Sequence, residues 1–354
     1  MHIHTRNINT GFRVVVETLM AGRKGYDGVP PVSVAETRAG RTIRFDEPMT
    51  ITFTRPTERV LFNTARDVNP FSVLYESLWV LAGRNDVAPL SYYTKRMVDY
   101  SDDGSTWYGA YGRRWRNWAD GGFDQLERAA ELLRADHNTR RIVLTMWDPV
   151  KDLAGQTAGG KDYPCNTHVY AKIKRGRLNI TVCNRSNDTV WGLFGTNAVV
   201  FSFLQEYLAA KVGVGVGEYH HMSDDLHVYD EPGNPKVARW EPEKWLAEST
   251  YTQEAGRYGN GTALFPLVKD SAAFERELPR FVEEFKSLPT DYGIRAENWT
   301  EPFLRDVARP AFGAYAVYKT GQWKREPGSS RWHEVIAADD WRTACTGWLE
   351  RRRK

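Results

Sequence analysis

The stretch from Cys165 to Tyr229, CNTHVYAKIKRGRLNITVCNRSNDTVWGLFGTNAVVFSFLQEYLAAKVGVGVGEYHHMSDDLHVY, decides how the rest of the chain is read. Within it, HVYAKIKRGRLNITVC (168–183) holds two alternating β-rich runs that meet at Lys174, Arg175, Gly176 and Arg177, which predicts a hairpin leading to Cys183. The run AVVFSFLQEYLAAK (198–211) is apolar almost all round, so it predicts a central buried helix.

Working outward, FSVLYESLWVLAG (71–83) repeats Phe71, Leu74, Leu78 and Leu81 at helical spacing, with Glu76 inside the helix. DQLERAAELLRAD (124–136) opens on a capping Asp and reads as an amphipathic helix, and RIVLTMW (141–147) follows as a short strand. KDLAGQTAGGKDY (151–163) is rich in Gly and polar residues and reads as a mobile surface loop. Beyond Tyr229, helical runs around Lys244 and from Ala272 to Leu288 read as a packed extension, and the terminal RRRK as a solvated tail. With no long linker and no internal repeat, 1–354 is expected as a single domain with a divergent C-terminal extension from about 230.

The chain has 354 residues, 41% of them hydrophobic, enough for a large core. Its 48 Lys and Arg nearly balance 45 Asp and Glu, so the surface is not one that tracks a polyanionic strand, and a substrate with a single phosphate fits better. The start MHIHTRNINTGFR lacks the apolar region of a signal peptide, and no apolar run approaches roughly 18 residues, so a cytoplasmic protein is expected. Cys165, Cys183 and Cys345 have no CxxC spacing, which argues against a disulfide framework or a zinc site.

Cys165 lies in DYPCNTH, between the loop and the first hairpin strand, where a side chain can project into a cleft; the plainer alternative is a small buried hydrophobe. A thiol reacts as thiolate, and Arg140, Arg141 and Arg185 are candidates for the positive field that would favour it. Arg140-Arg141 before a strand and Arg185-Ser186 after one are also placed to form a fork for a phosphate dianion.

These elements in this order resemble the heart of thymidylate synthases: a nucleophile after Pro, two strands, an RSxD turn, a Gly, an Asn, a buried helix and a DxHxY element. The RSND wording is closer still to the phage nucleotide hydroxymethylase branch. The resemblance runs from about Asn69 to Tyr229, is weak over the first 60 residues and stops after Tyr229. It implies an α+β fold, a large mixed sheet packed by helices, working as a homodimer. It also implies folate-dependent one-carbon transfer from 5,10-methylenetetrahydrofolate to C5 of a pyrimidine nucleoside monophosphate.

Position by position, the resemblance makes Cys165 the nucleophile that adds to C6 of the base. Arg185 and Ser186 become phosphate ligands, with Arg140 and Arg141 lent by the partner subunit. Asp188 matches the carboxylate facing the pterin, although an Asp after a turn is often only a cap. Glu76 matches the glutamate that organises waters for proton transfer, Tyr111 in GAYGRRW the tyrosine of the YGxxW element, and His227 with Tyr229 the pair on the ribose 3'-hydroxyl. Gly192 matches a glycine that lets backbone approach the base. Asn197 matches the asparagine that donates to O4 and accepts from N3–H of uracil, which favours dUMP over a cytosine nucleotide. The alternatives are an N-cap role for Asn197, and Thr196 in its slot, because GLFGTN is one residue longer than the family's GLPFN.

Three departures favour hydroxymethylation over methylation. Asn166 stands where synthases have His, the ERRRK end lacks the family's apolar terminus, and no indole occurs between Met97 and Asp103. The rival expectations are a thymidylate synthase proper, a dCMP or CMP hydroxymethylase, and an inactive nucleotide- or RNA-binding relative. A phage-encoded protein of this kind would act in its host's cytoplasm.

Overall fold

The hairpin forms where the alternation places it. Strands β6 (Asn166–Lys174) and β7 (Arg177–Asn184) pair antiparallel out to Lys174 opposite Arg177. Arg175 (φ 50°) and Gly176 (φ 69°) both take left-handed backbone, the tight two-residue turn that matches strand twist. The computed structural model describes residues 1–154, 160–230, 240–248, 258, 264–287, 296–321 and 332–353.

On this hairpin a mixed six-stranded sheet is built. β7 runs parallel to β9 (Gly215–Ser223), β9 antiparallel to β4 (Met49–Phe53), and β4 parallel to β1 (His2–Thr5), while β5 (Val143–Thr145) closes the other edge on β6. A second, four-stranded sheet has the order β2 (Val32–Thr37), β3 (Gly40–Phe45), β10 (Leu226–Tyr229), β8 (Asn187–Asp188). The expected large mixed sheet is present, with a small second sheet beside it. Asn187 and Asp188 leave the first to pair with Leu226 and His227 in the second.

Helix α6 (Ala198–Val212) is buried nearly all round and packs on the sheet. Where β7 and β9 slip register between Leu178 and Ile180, buried Gln205 donates to the carbonyls of Leu178 (2.8 Å) and Glu218 (3.1 Å). A buried carbonyl without a donor would be costly, so this glutamine fixes the helix against the bulge. Helix α2 (Pro70–Leu81) begins at Asn69, whose side chain accepts from the N–H groups of Phe71 and Ser72, and all its residues are buried. Helices α3 (Val87–Tyr93), α4 (Tyr111–Arg116) and α6 pack against it, while α1 (Ile8–Arg23) lies on β1 and β2 and α5 (Gln125–Ala135) on α4 and α6.

The C-terminal helices α7 (Pro242–Glu248), α8 (Ser271–Glu284), α9 (Arg309–Lys319) and α10 (Asp339–Arg351) share one apolar cluster with the rest, which runs from Ile3 to Leu349. Tyr75 on α2 donates to the Val282 carbonyl and Tyr93 to that of Phe285, both at 2.9 Å, and Tyr315 on α9 donates to the Tyr93 carbonyl at 2.9 Å. The extension thus covers a face of α2 and ties its neighbour α3.

Two surface expectations are corrected. The C-terminal arginines are not simply solvated: Arg352 pairs with Asp67 at 2.6 Å and stacks on Trp348, and Arg351 meets the same carboxylate at 3.0 Å. The 151–163 loop begins as a π-turn (Pro149–Ala154) whose Asp152 is fully buried against Arg114 (2.8 Å), because a buried carboxylate needs its cation. Residues 155–159, Leu288 and Lys354 lie outside the described residues.

Candidate active site

A cavity of about 300 Å³ opens between α2, the start of α4, the 161–165 segment and the 187–197 segment. Cys165, Glu76, Tyr111, Asp188, Gly192 and Asn197 all line it, although 121 positions separate the first from the last in the chain (197 minus 76). His227 and Tyr229 stand beside it: His227 sits opposite Asp188 across the β8–β10 pair, and the charges of Asp188 and Cys165 both act on the Tyr229 hydroxyl. Arg185 and half-buried Ser186 occupy the corner between β7 and β8. Arg140 and Arg141 are exposed before β5 and are not part of the cavity wall of their own chain.

Cys165 precedes β6, and Arg185 holds it there. The Arg185 N–H donates to the Cys165 carbonyl (2.9 Å), its Nε to that of Pro164 (3.0 Å) and its Nη2 to that of Tyr163 (3.2 Å). Within a single chain, without the arginines expected from a partner subunit, the thiol is not acidified. Burial pushes the Cys165 thiol up from its ordinary value, Arg185 pulls it down, and Asp162 and Asp188 push it up again, with a net rise. Desolvation and two carboxylates outweigh one exposed guanidinium, so the resting sulfur carries its proton.

Glu76 is the most perturbed carboxyl on the wall. Burial pushes it up to about 8, against a hydrogen bond from Thr196, and its Oε2 has no protein partner among the described residues. Unfolded, it titrates near its ordinary 4.5, so between about 5 and about 8 the folded chain keeps a proton the unfolded chain has released. Folding stability should therefore fall as pH rises through that window and level off above it. Glu76→Gln is expected to remove the trend, giving a variant that melts a few degrees above wild type near pH 8.5 and about level with it near pH 5. Thermal melts across pH check this, and parallel curves for the two proteins would refute it.

Asp188 both caps and faces the cavity. Its Oδ1 accepts from Val190 N–H and its Oδ2 from Trp191 N–H, each at 3.0 Å, at the start of a π-helical stretch (Thr189–Asn197). The stretch runs with wider i→i+5 turns straight into α6. Asn197 is consequently not an N-cap. It has helical backbone (φ −59°, ψ −44°), makes no capping bond, and donates from Nδ2 to Asn187 Oδ1 at 3.2 Å. Thr196 faces Glu76 instead. A Cβ on Gly192 would fall 2.4 Å from Asn187 Oδ1, so only glycine lets this amide lie against the backbone.

Tyr111 is the first residue of α4 and stacks on Phe201 (6.1 Å); burial pushes its hydroxyl up, with Cys165 adding to the rise. His227 bonds to Asp225 (3.0 Å) through Nδ1; burial alone would lower its pKa, but Asp225 and Asp188 leave it raised.

Several residues in the wall or just behind it were not anticipated. Asp162, within the DYPCNTH string, is pushed up to about 6 by burial and accepts from Gly109 N–H at 3.1 Å. Indoles do line the cavity, from Trp79, Trp107 and Trp191, while Met97 and Tyr100 stand where an indole was sought. Arg66, under the Trp191 ring at 5.2 Å, donates to the Val190 carbonyl at 2.7 Å, and burial pulls it down to about 10. No local sequence signal marks Arg66.

The fold and the cavity belong together with one protein class. Residues 33–243 match the family model described as thymidylate synthase, and the chain belongs to that family. Among its relatives is the deoxyuridylate hydroxymethyltransferase of Pseudomonas phage M6, 43% identical over 357 residues, covering 99% of this chain and 94% of that protein. Proteins of the same name from Bacillus phage SP01 (39% identical, 56% of this chain, 53% of that one) and Delftia phage PhiW-14 (34%, half of each) match over shorter spans. No described helix is long and apolar enough to cross a membrane.

Proposed function

We propose that this enzyme is a deoxyuridylate hydroxymethyltransferase, converting dUMP to 5-hydroxymethyl-dUMP. The observation that carries the proposal is the single cavity in which a thiol, a carboxyl with a raised pKa and an amide converge. The near full-length similarity to the phage M6 protein supports the choice of product.

In this reading Cys165 gives up its thiol proton to water in the cavity as Sγ bonds to C6 of uracil, and the C5–C6 electron pair moves toward C5 and O4. Asn197 donates to O4 and accepts from N3–H, stabilising the charge that develops there. Glu76, protonated near neutral pH, is suited to hand a proton toward O4 through water and take it back as the adduct collapses. C5 bonds to the one-carbon unit and gives up its proton to water in the cavity; water oxygen then adds to the exocyclic carbon as the Cys165–C6 bond breaks, its electron pair returning to Sγ. Arg185 and Ser186 hold the phosphate, and His227 with Tyr229 the ribose.

The wall also suits a reduced pterin. Asp188 spends one acceptor site of each oxygen on backbone N–H and keeps others for the ring's N–H groups, while Trp107 and Trp191 offer flat apolar faces. Bound there, 5,10-methylenetetrahydrofolate would supply the one-carbon unit at the oxidation level of formaldehyde.

A homodimer completes the site by lending Arg140 and Arg141. It is supported by the outer face of the large sheet, where Val143 and Tyr170 are exposed. The shared apolar cluster supports reading the whole chain as one catalytic domain.

With dUMP and the folate, the expected product is 5-hydroxymethyl-dUMP with tetrahydrofolate. The test is product mass together with the near-ultraviolet absorbance of dihydrofolate. Dihydrofolate rising in step with dUMP loss, with dTMP formed, would make the protein a thymidylate synthase proper.

A further inference from the structure

An asparagine amide is nearly symmetric in shape, and either end fits the same space. With its N–H toward C4 of the base and its oxygen toward N3 it suits uracil; turned over, it suits cytosine, whose amino group donates and whose N3 accepts. Asn197 alone therefore does not select a base. Something must hold its orientation.

The structure supplies a chain of hydrogen bonds that does so. Asn184 Nδ2 donates to the Met222 carbonyl at 2.8 Å, and a backbone carbonyl only accepts, so the orientation of this amide is fixed. The same Nδ2 lies 2.8 Å from His221 Nε2. That ring nitrogen must be the acceptor, so the imidazole proton sits on Nδ1, facing the Tyr219 hydroxyl. The one Nε2 lone pair is shared: Asn187 Nδ2 also lies 2.7 Å from it, in a three-centre bond, and 3.3 Å from Ser223 Oγ. With its donor end committed there, Asn187 turns Oδ1 outward to the backbone of Gly192 and to Asn197 Nδ2 at 3.2 Å. Asn197 then has one N–H spent on Asn187, and its other N–H and its oxygen remain for a ligand in the cavity.

We propose that Asn184, His221 and Asn187 form a relay that fixes the amide orientation of Asn197 and makes the site select uracil over cytosine, with His221 and Asn187 as positioning residues. Turning the Asn197 amide over would set its oxygen against Asn187 Oδ1, and turning Asn187 to relieve that would set its oxygen against the His221 lone pair. Each flip costs a buried hydrogen bond and adds a repulsion. Asn184, His221 and Asn187 are all at most 2% exposed, so water does not readily replace a lost partner. Burial also holds the His221 imidazole down at about 3, so it stays neutral and keeps its accepting nitrogen at working pH. The inference rests on the reading of Asn197 as the residue that faces the base.

The experiment compares dUMP with dCMP, as kcat/KM and as Kd without folate, for wild type, Asn187→Ala, His221→Phe and Asn197→Asp, each checked for fold by its melting curve. Asn187→Ala and His221→Phe should shrink the preference for dUMP roughly tenfold or more, largely through better use of dCMP. A general loss of packing would lower both substrates alike and leave the ratio unmoved, so an unmoved ratio in a folded Asn187→Ala overturns the relay. If Asn197→Asp moves the ratio and Asn187→Ala does not, the relay fails while Asn197 keeps its role; if neither moves it, both readings fail. Because Kd is read without turnover, base selection seen in binding supports the relay even if the proposed reaction is absent.

Discussion

Cys165→Ala protein is expected to lose dUMP turnover by roughly ten-thousand-fold or more while still binding the nucleotide. Without Sγ no bond forms to C6, and C5 of uracil has no other route to nucleophilic character in this cavity. The groups proposed to hold the base, ribose and phosphate are Asn197, His227, Tyr229, Arg185 and Ser186, and the substitution removes none of them. 5-Fluoro-dUMP gives a direct readout, because fluorine does not leave C5 as a proton does, so the adduct with wild type and folate should persist on denaturation and be absent from the variant. The raised thiol pKa adds a second expectation: in the free enzyme, Cys165 should react slowly with iodoacetamide near neutral pH and faster as pH rises. An alanine variant that keeps a tenth of wild-type rate would remove Cys165 from the mechanism, and rapid alkylation at neutral pH would contradict the protonated resting thiol.

What could be read from the sequence was what local pattern governs. The β6–β7 turn lies in an alternating run broken at Arg175 and Gly176, α6 in an unbroken apolar run, and Glu76 stands out as a carboxylate inside an apolar helix. Six of the twelve anticipated site residues line the cavity because their elements meet around the nucleophile's strand.

What could not be read depends on balances or on distant pairing. The direction of the Cys165 shift is set by burial, with Asp162 and Asp188 against Arg185, and composition does not reveal which charge lies nearer. The contact between Asn187 and His221 spans 34 positions and exists because β7 and β9 run parallel after a register slip. The extension beyond Tyr229 carries no motif, yet Tyr75, next to Glu76, is bonded to Val282 in it, so the extension helps fix the helix that presents the carboxyl. The π-helical geometry of 189–197, which brings both Thr196 and Asn197 to the wall, has no local signal in GLFGTN.

The other large effect expected is restoration of activity by mixing two inactive proteins. Arg140→Ala and Arg185→Ala should each abolish turnover, the first by removing a phosphate ligand from the neighbouring site. The second also removes two of the three bonds that hold the Tyr163–Cys165 backbone. Arg140 and Arg141 are exposed on their own chain and do not line its cavity; the expectation takes them to serve the neighbouring subunit's phosphate. In a two-fold dimer that lends these arginines across the interface, a heterodimer of the two variants contains one site with both substitutions and one with neither. Random exchange makes about half of the dimers mixed, so the pool should recover roughly a quarter of wild-type activity. Activity is measured before and after subunit exchange, with exchange itself followed by native mass spectrometry. Mixed dimers that form but stay inactive would show that each subunit's arginines serve its own site, and the shared-site reading would fall. Recovery would place Arg140 and Arg185 on the same phosphate from opposite subunits.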